Sequence, residues 1–367
     1  MIIMEKNNLS AAVVSLGSKS SVMVIEALEK YFGQVDNLQI KNMEVRLGKD
    51  GGVFYEGKPL KKYDCIYLKG SFRYAHLLRS ISTMLEDKVP FMPLSASAFT
   101  IVHNKLLTHL VLQQQNIAMP RTYISSTVEA AKQVLKQVNY PIVMKLPEGT
   151  QGKGVMFADS PSSAASMLDA LLALRQPFII QEYVDTGGSD IRALVVGDRV
   201  VASMRRKAQR DEKRANIHAG GSGEYVELDR ISRKLAIDTA KALNARICGV
   251  DILEGPTGPL IIEANISPGL QGLSSVSRID IAEEIARYLY TQTEAALASK
   301  GEIQKKETVS DLFNSMELHQ QEIITTLPFR GERILLPEVV TKVTKFNETK
   351  EYLIKASNGK LEIIPFK

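Results

Sequence analysis

Two apolar runs separated by a short turn constrain this chain more than any other feature. The runs are 247-ICGVDIL-253 and 260-LIIEANIS-267, and the turn is 255-GPTGP-259. Both are short and β-branched, so they read as buried strands. Strands joined by so short a turn are hairpin neighbours. Asp251 then faces Glu263 across the ladder, and Asn265, two residues on, points to the same face. Carboxylates pushed into an apolar sheet need a cation, because an unpaired buried charge is too costly. Oxygen-only donors favour Mg²⁺ or Mn²⁺ over zinc. An ordinary exposed hairpin with scattered polar residues is the plainer alternative, which a motif alone does not exclude.

A second signal lies upstream. In 141-PIVMKLPEGTQGKGV-155 a strand ends in Lys145 and opens a loop with Gly149, Gly152 and Gly154. Backbone N–H groups of such a loop can close on phosphate oxygens. It is not a P-loop, since no GK[ST] stands at the required spacing, and 155-VMFADS-160 reads as another strand rather than a helix. Strand, glycine loop and strand make a flap that covers phosphates from above. A plain hairpin tip is an equal alternative for this stretch alone.

The third signal is 177-PFIIQEYVDTGGSDIRALVVGDRVVASMRRKA-208. A hinge of strand, Glu182, Tyr183 and an apolar residue can read an adenine edge through backbone and carboxylate hydrogen bonds, and Asp190 suits a ribose hydroxyl. The polar loop 205-RRKAQRDEKRANIHAGG-221 is too charged for core. A solvated loop is its default reading. Its place between hinge and hairpin favours an active-site loop instead.

Taken together, KLPEGTQGKGV, QEYV with DIR downstream, RRKA with RANIHAGG, GVDIL and EANISPGLQG resemble the ATP-grasp superfamily, and within it the RimK-type α-L-glutamate ligases. The resemblance covers roughly residues 95–295. It implies an ATP-grasp fold, α/β and α+β and multidomain. ATP would be bound by Lys105, Lys145, Gly149, Gln151, Gly152, Gly154, Glu182, Tyr183, Asp190, Arg214, Ala215 and Asn216. Two Mg²⁺ (or Mn²⁺) ions would sit on Asp251, Glu263 and Asn265, with Glu263 bridging. Some ATP-grasp ligases carry an arginine two residues before the first metal aspartate, where this chain has Gly249. The positive charge at the reacting acyl group would then come from Arg205, Arg206 or Arg214 as catalytic residues; the loop also carries an extra Arg210. Arg73, Arg192 and His218 are candidate substrate contacts. The implied reaction joins an amine, glutamate by resemblance, to an acceptor carboxylate: a protein C-terminus, a cofactor or metabolite tail, or a carrier protein. Alternatives are a ligase using another amino acid and an ATP-binding module without turnover. The resemblance also suggests a homo-oligomer, a dimer or tetramer.

Composition agrees. A 367-residue chain has room for two or three domains, and 44% apolar residues support a substantial core. A net charge of +5 without tryptophan or a long basic face gives no case for nucleic acid. Cys65 and Cys248 lie in apolar strand-like runs and read as buried thiols, as in a reducing cytoplasm. The start MIIMEKNNLS lacks an apolar signal core, and no run approaches a membrane span, so a cytoplasmic protein is expected.

The expected organisation has four parts. Residues 1–95 form an open α/β unit whose strand ends, Ser15 to Ser21 and Lys69 to Arg73, are candidate substrate contacts. Residues 96–180 form a small subdomain with the flap, and 181–298 a large one with the metal hairpin. A polar linker, 299-SKGEIQKKET-308, leads to a small β module at 309–367 with an Asn358-Gly359 hairpin turn.

Overall fold

The computed structural model describes residues 7–125, 127–148, 154–207 and 222–314, then 329–331, 333–336, 340, 344, 350–357 and 360–365. The chain divides into two compact units, Met1–Ser299 and Lys300–Lys367.

Strand β1 (Asn7–Ser15) is buried from Ala11 to Ser15, as a parallel strand covered on both faces should be. The turn after it passes through Gly17 at φ 73° and enters α1 (Lys19–Leu28), where the Ser18 side chain accepts from Ser21 N. Next come β2 (Phe32–Gln39), β3 (Met43–Arg46), β4 (Gly52–Tyr55), β5 (Lys58–Pro59) and β6 (Cys65–Leu68). β2 and β6 flank β1, both parallel to it, while β3, β4 and β5 form a separate small sheet. Helix α2 (Ala75–Leu85) buries Leu78, Ile81 and Leu85. An open α/β unit is therefore what the first part forms.

Helices α3 (Ala96–Val102) and α4 (Lys105–Gln114) follow; Asn104 caps α4 by accepting from Leu106 N and Leu107 N. Then come β7 (Thr122–Tyr123), α5 (Val128–Gln137), β8 (Ile142–Lys145), β9 (Val155–Ala158), α6 (Pro161–Ala173) and β10 (Ile179–Glu182). The strands pair antiparallel in the order β7-β10-β8-β9. Ala131 and Leu135 of α5 and Ala164, Leu168 and Leu171 of α6 pack with Ile142, Met144 and Ile180 in a core of their own.

The second antiparallel sheet has the order β13-β12-β11-β14-β15. Its elements are β11 (Ser189–Val196), β12 (Arg199–Lys207), β13 (Ser222–Tyr225), α7 (Arg230–Ala242), β14 (Ile247–Gly255) and β15 (Gly258–Asn265), followed by α8 (Gln271–Val276) and α9 (Ile281–Asn314). This sheet shares one hydrophobic core with the first α/β unit. The expected linker at 299–308 is instead helical, because α9 continues through it to Asn314. Its lysines, glutamates and glutamine are good helix formers, and the single Gly301 costs only about 1 kcal/mol.

In the second unit β16 (Phe329–Arg330) pairs with β17 (Arg333–Ile334), and β18 (Tyr352–Ser357) with β19 (Lys360–Pro365). The innermost pair, Ser357 with Lys360, brackets the expected Asn-Gly turn, which itself lies outside the described residues.

Candidate active site

Asp251 pairs with Glu263 and Gly249 with Asn265 across the β14–β15 ladder, so all three oxygen-bearing side chains share one face. The turn alone does not produce this. Counting in from the closing pair Gly255–Gly258, the register runs to Ile252 opposite Ile261 and would next set Asp251 against Ile262. A bulge between Asp251 and Ile252 leaves Ile262 over and brings Glu263 beside Asp251. Without it Glu263 would lie opposite Val250, on the other face.

Asp251 is buried and clamped by two arginines. Arg192, its cross-strand partner on β11, donates from Nε to Oδ1 at 2.7 Å and from Nη2 to Oδ2 at 2.6 Å. Arg206 donates to the same Oδ2 at 2.7 Å and holds Asp190, its own cross-strand partner, with two bonds of 2.6 and 2.7 Å. Burial would raise the Asp251 carboxyl, yet the two guanidiniums hold it down at about 2. Asp190 goes the other way: burial and the charge of Asp251 push it up to about 6, against the pull of Arg206. Burial alone would lower Arg206; the two carboxylates hold it above its ordinary value.

This donor set suits a hard cation. A carboxylate offers about four lone-pair sites, and Asp251 gives three of them to arginine N–H groups, leaving one on Oδ1. Asn265 Oδ1 accepts from Ser267 N at 2.9 Å and keeps a second lone pair. Among the described residues no group of three His, Cys, Asp or Glu side chains forms, so two carboxylates and an amide are the available donors.

Arg205 is corrected by strand parity. It pairs with Ile191 and Ile191 with Ile252, so it lies on the face opposite Asp251. There it forms ion pairs with Glu254 and Glu224. Arg206 is the basic residue of this strand that reaches the cluster. The catalytic role expected for Arg205 does not fit this placement.

The two lysines come from a strand of the other sheet and from a helix. Lys145 ends β8 and Lys105 opens α4, whose first N–H donates to Pro147 O at 3.0 Å. Burial lowers both ammonium groups, Lys145 to about 8, while the charge of Glu263 pulls both upward. Glu263 thus links the hairpin electrostatically to both lysines. The flap strands pair as expected, Lys145 with Val155. Gly154 sits at φ 77°, and a Cβ there would meet Leu146 Cδ1 at 2.9 Å, so only glycine fits. Gly149, Gln151 and Gly152 lie outside the described residues, as do Arg214, Ala215, Asn216 and His218.

At the hinge, Glu182 N donates to Arg121 O and Tyr183 N to Pro141 O, so these two N–H groups belong to the protein's own backbone network. The Glu182 carboxylate accepts from Tyr123 Oη at 3.0 Å, and the Tyr183 ring meets Phe157 edge-on. Asp190 is likewise engaged by Arg206, so a ribose contact there competes with an ion pair. Arg73 is exposed in the single turn Phe72–Tyr74. Lys69 is buried; its ammonium lies 5.1 Å from the Tyr67 ring centroid, has no hydrogen-bond partner among the described residues, and is lowered by burial to about 8. Cys65 and Cys248 are free, buried thiols pushed up to about 12 by desolvation.

Sequence motifs did not reveal two buried residues beside Lys145, Gln181 and His109. Gln181 stood inside the QEYV motif, and its alternation with Glu182 was the available signal that it faces inward.

The family model described as a RimK-like ATP-grasp domain matches residues 102–289, just over half of the chain. A probable alpha-L-glutamate ligase from Marinomonas sp. (strain MWYL1) is 33% identical over 273 residues, covering 74% of this chain and 91% of the relative. A probable alpha-L-glutamate ligase 2 from Pseudoalteromonas atlantica is 37% identical over 239 residues, 65% of this chain and 79% of the relative. The ATP-grasp ligase PsnB, solved with a phosphomimetic variant of its minimal precursor, Mg and ADP, superposes with a TM-score of 0.62 at 18% identity, covering 78% of this chain and 99% of that one. No helix among the described residues is long and apolar enough to cross a membrane. The chain belongs to the RimK-like ATP-grasp family and is an ATP-dependent carbon–nitrogen ligase.

Proposed function

We propose that this ligase joins glutamate, through its amino group, to the carboxylate of an acceptor, releasing ADP and phosphate. The observation that carries the reading is the placement of Asp251, Glu263 and Asn265 on one sheet face, with Glu263 acting on both Lys105 and Lys145. Glutamate itself is supported by the relatives named as glutamate ligases, which the chain matches over most of their length.

The chemistry follows from charge. An acceptor carboxylate and the γ-phosphate of ATP are both anions, and they meet only if the site cancels their charge first. Lys105 and Lys145 would meet phosphate oxygens. Asp251, Glu263 and Asn265 would hold Mg²⁺, two ions by the family resemblance, which when bound would neutralise the phosphates further. Arg192 and Arg206 keep Asp251 ionised in its buried setting. The acceptor carboxylate attacks the γ-phosphorus, ADP leaves, and the amine then displaces phosphate from the acyl carbon to give the amide. Arg206 lies beside the metal ligand and supplies positive charge to the oxyanion of that second step.

The test is to incubate the protein with ATP, Mg²⁺, glutamate and a cell extract, then follow nucleotide products and acceptor masses. ADP with additions of glutamate-sized units is expected. AMP and pyrophosphate as stoichiometric products would sink the acyl-phosphate route, and additions of a different amino acid would sink the glutamate assignment alone.

A further inference from the structure

The proton logic around Lys145 leaves one arrangement. His109 Nδ1 lies 2.6 Å from Lys105 O. A carbonyl only accepts, so Nδ1 carries the proton and Nε2 of the neutral ring is an acceptor. Thr122 Oγ1 donates its proton to Pro120 O at 2.8 Å, so it too presents a lone pair inward. The amide nitrogen of Gln181 faces both acceptors, 3.0 Å from His109 Nε2 and 2.8 Å from Thr122 Oγ1. With both N–H protons committed, Gln181 Oε1 must turn the other way. There it accepts from Lys145 Nζ at 2.6 Å. Gln181, His109, Lys145 and Thr122 come from β10, α4, β8 and β7, and the first three are buried. If the amide were flipped, its nitrogen would face an ammonium and its oxygen would face two acceptors, so the fold admits one orientation.

We propose that His109 and Thr122, acting through the fixed amide of Gln181, are positioning residues that aim the Lys145 ammonium at the nucleotide phosphates. His109 also ties this relay to Lys105, whose carbonyl it holds, so the two phosphate lysines are set by one network. The proposal rests on the reading of Lys145 as a phosphate ligand, but not on the identity of the amino acid or acceptor. Burial pushes His109 down to about 4, which agrees with a neutral ring across the working pH range.

The experiment measures Mg²⁺-dependent binding of AMPPNP by calorimetry, together with kcat and KM for ATP. His109→Phe keeps an aromatic ring but removes the acceptor; His109→Gln restores an oxygen near the place of Nε2. His109→Phe is expected to weaken AMPPNP binding by up to about tenfold, the scale of one buried hydrogen bond, and His109→Gln to recover most of the loss. Thr122→Val, against Thr122→Ser, repeats the test at the second acceptor if the His109 variants fail to fold. The decisive comparison is a double-mutant cycle with Lys145→Met. Once the ammonium is gone, His109→Phe should cost much less than it does alone, because only its hold on Lys105 is left to lose. A full, additive loss in the Lys145→Met background would show that His109 only fills space and would overturn the proposal, as would unchanged binding by His109→Phe. Absence of glutamate transfer in a protein that still shows this coupling would refute the proposed reaction and leave the relay standing.

Discussion

Arg192 and Asp251 stand opposite each other across the β11–β14 ladder and share two hydrogen bonds of 2.7 and 2.6 Å. Arg206 adds a third to the same carboxylate and also holds Asp190, so two carboxylates and two guanidiniums share one cluster centred on Asp251. Asp251 therefore has a structural duty beyond any metal. Asp251→Asn should abolish turnover and also destabilise the fold by about 3–5 kcal/mol, the usual cost of removing one partner from a buried ion pair. Chemical denaturation of the variant checks this. A neutral effect on stability would mean that the arginines find other partners.

Glu263 provides the contrast. It shares the face of Asp251 but acts on Lys105 and Lys145 rather than on a buried guanidinium. Glu263→Gln should keep the melting temperature near that of the wild type while turnover falls by far more than tenfold, a barrier change well above ~1.4 kcal/mol. A variant retaining a tenth of the rate would remove Glu263 from the metal site.

Much of this was legible in the residues themselves. Asn104 announces α4, the paired apolar runs announce β14 and β15, and Gly154 marks the flap turn, because caps, strand patterns and left-handed glycines are local signals. The bulge at Ile262 was not legible. The hairpin reading set Asp251 opposite Glu263, but the closing pair alone would have set it opposite Ile262. Nor was the choice between Arg205 and Arg206, neighbours in sequence on opposite faces of β12, since parity is set by pairing with β11. The partner of Arg192 lies 59 residues away, and Gln181 meets His109 over 72, so tertiary packing alone brings them together. The helix through 299–308 was missed because a polar, charged stretch reads as a linker until its propensities are added up.

Lys69 gives a stability prediction with a definite sign. Its ammonium is buried and its pKa falls from 10.5 to about 8 in the fold, so between those values the unfolded chain holds a proton that the folded chain has released. Stability from this group therefore rises with pH across that window, and the full penalty is present below it. Lys69→Met should be more stable than the wild type at pH 7 by a few kcal/mol, about 3 as an order of magnitude. The gap should close as pH rises toward 10.5. Melting both proteins from pH 7 to pH 10 tests it. A less stable Lys69→Met at pH 7 would show that the ammonium is held by a partner.

Every described residue of the candidate site lies in Met1–Ser299, while helix α9 runs across that boundary to Asn314. The place to cut is thus after the helix rather than within 299–308. Removing residues 315–367 should leave Mg·ATP affinity within about twofold, well under 1 kcal/mol, because none of the described ligands is lost. The segment removed contains a two-stranded hairpin, β18–β19, with Leu353, Ile354 and Leu361 exposed, and an isolated hairpin of this kind is marginal alone. We expect its loss to change oligomeric mass or acceptor use instead. Light scattering and nucleotide titration on the truncated protein separate the two outcomes. If nucleotide binding disappears while mass and acceptor use stay as they were, the last unit belongs to the catalytic body.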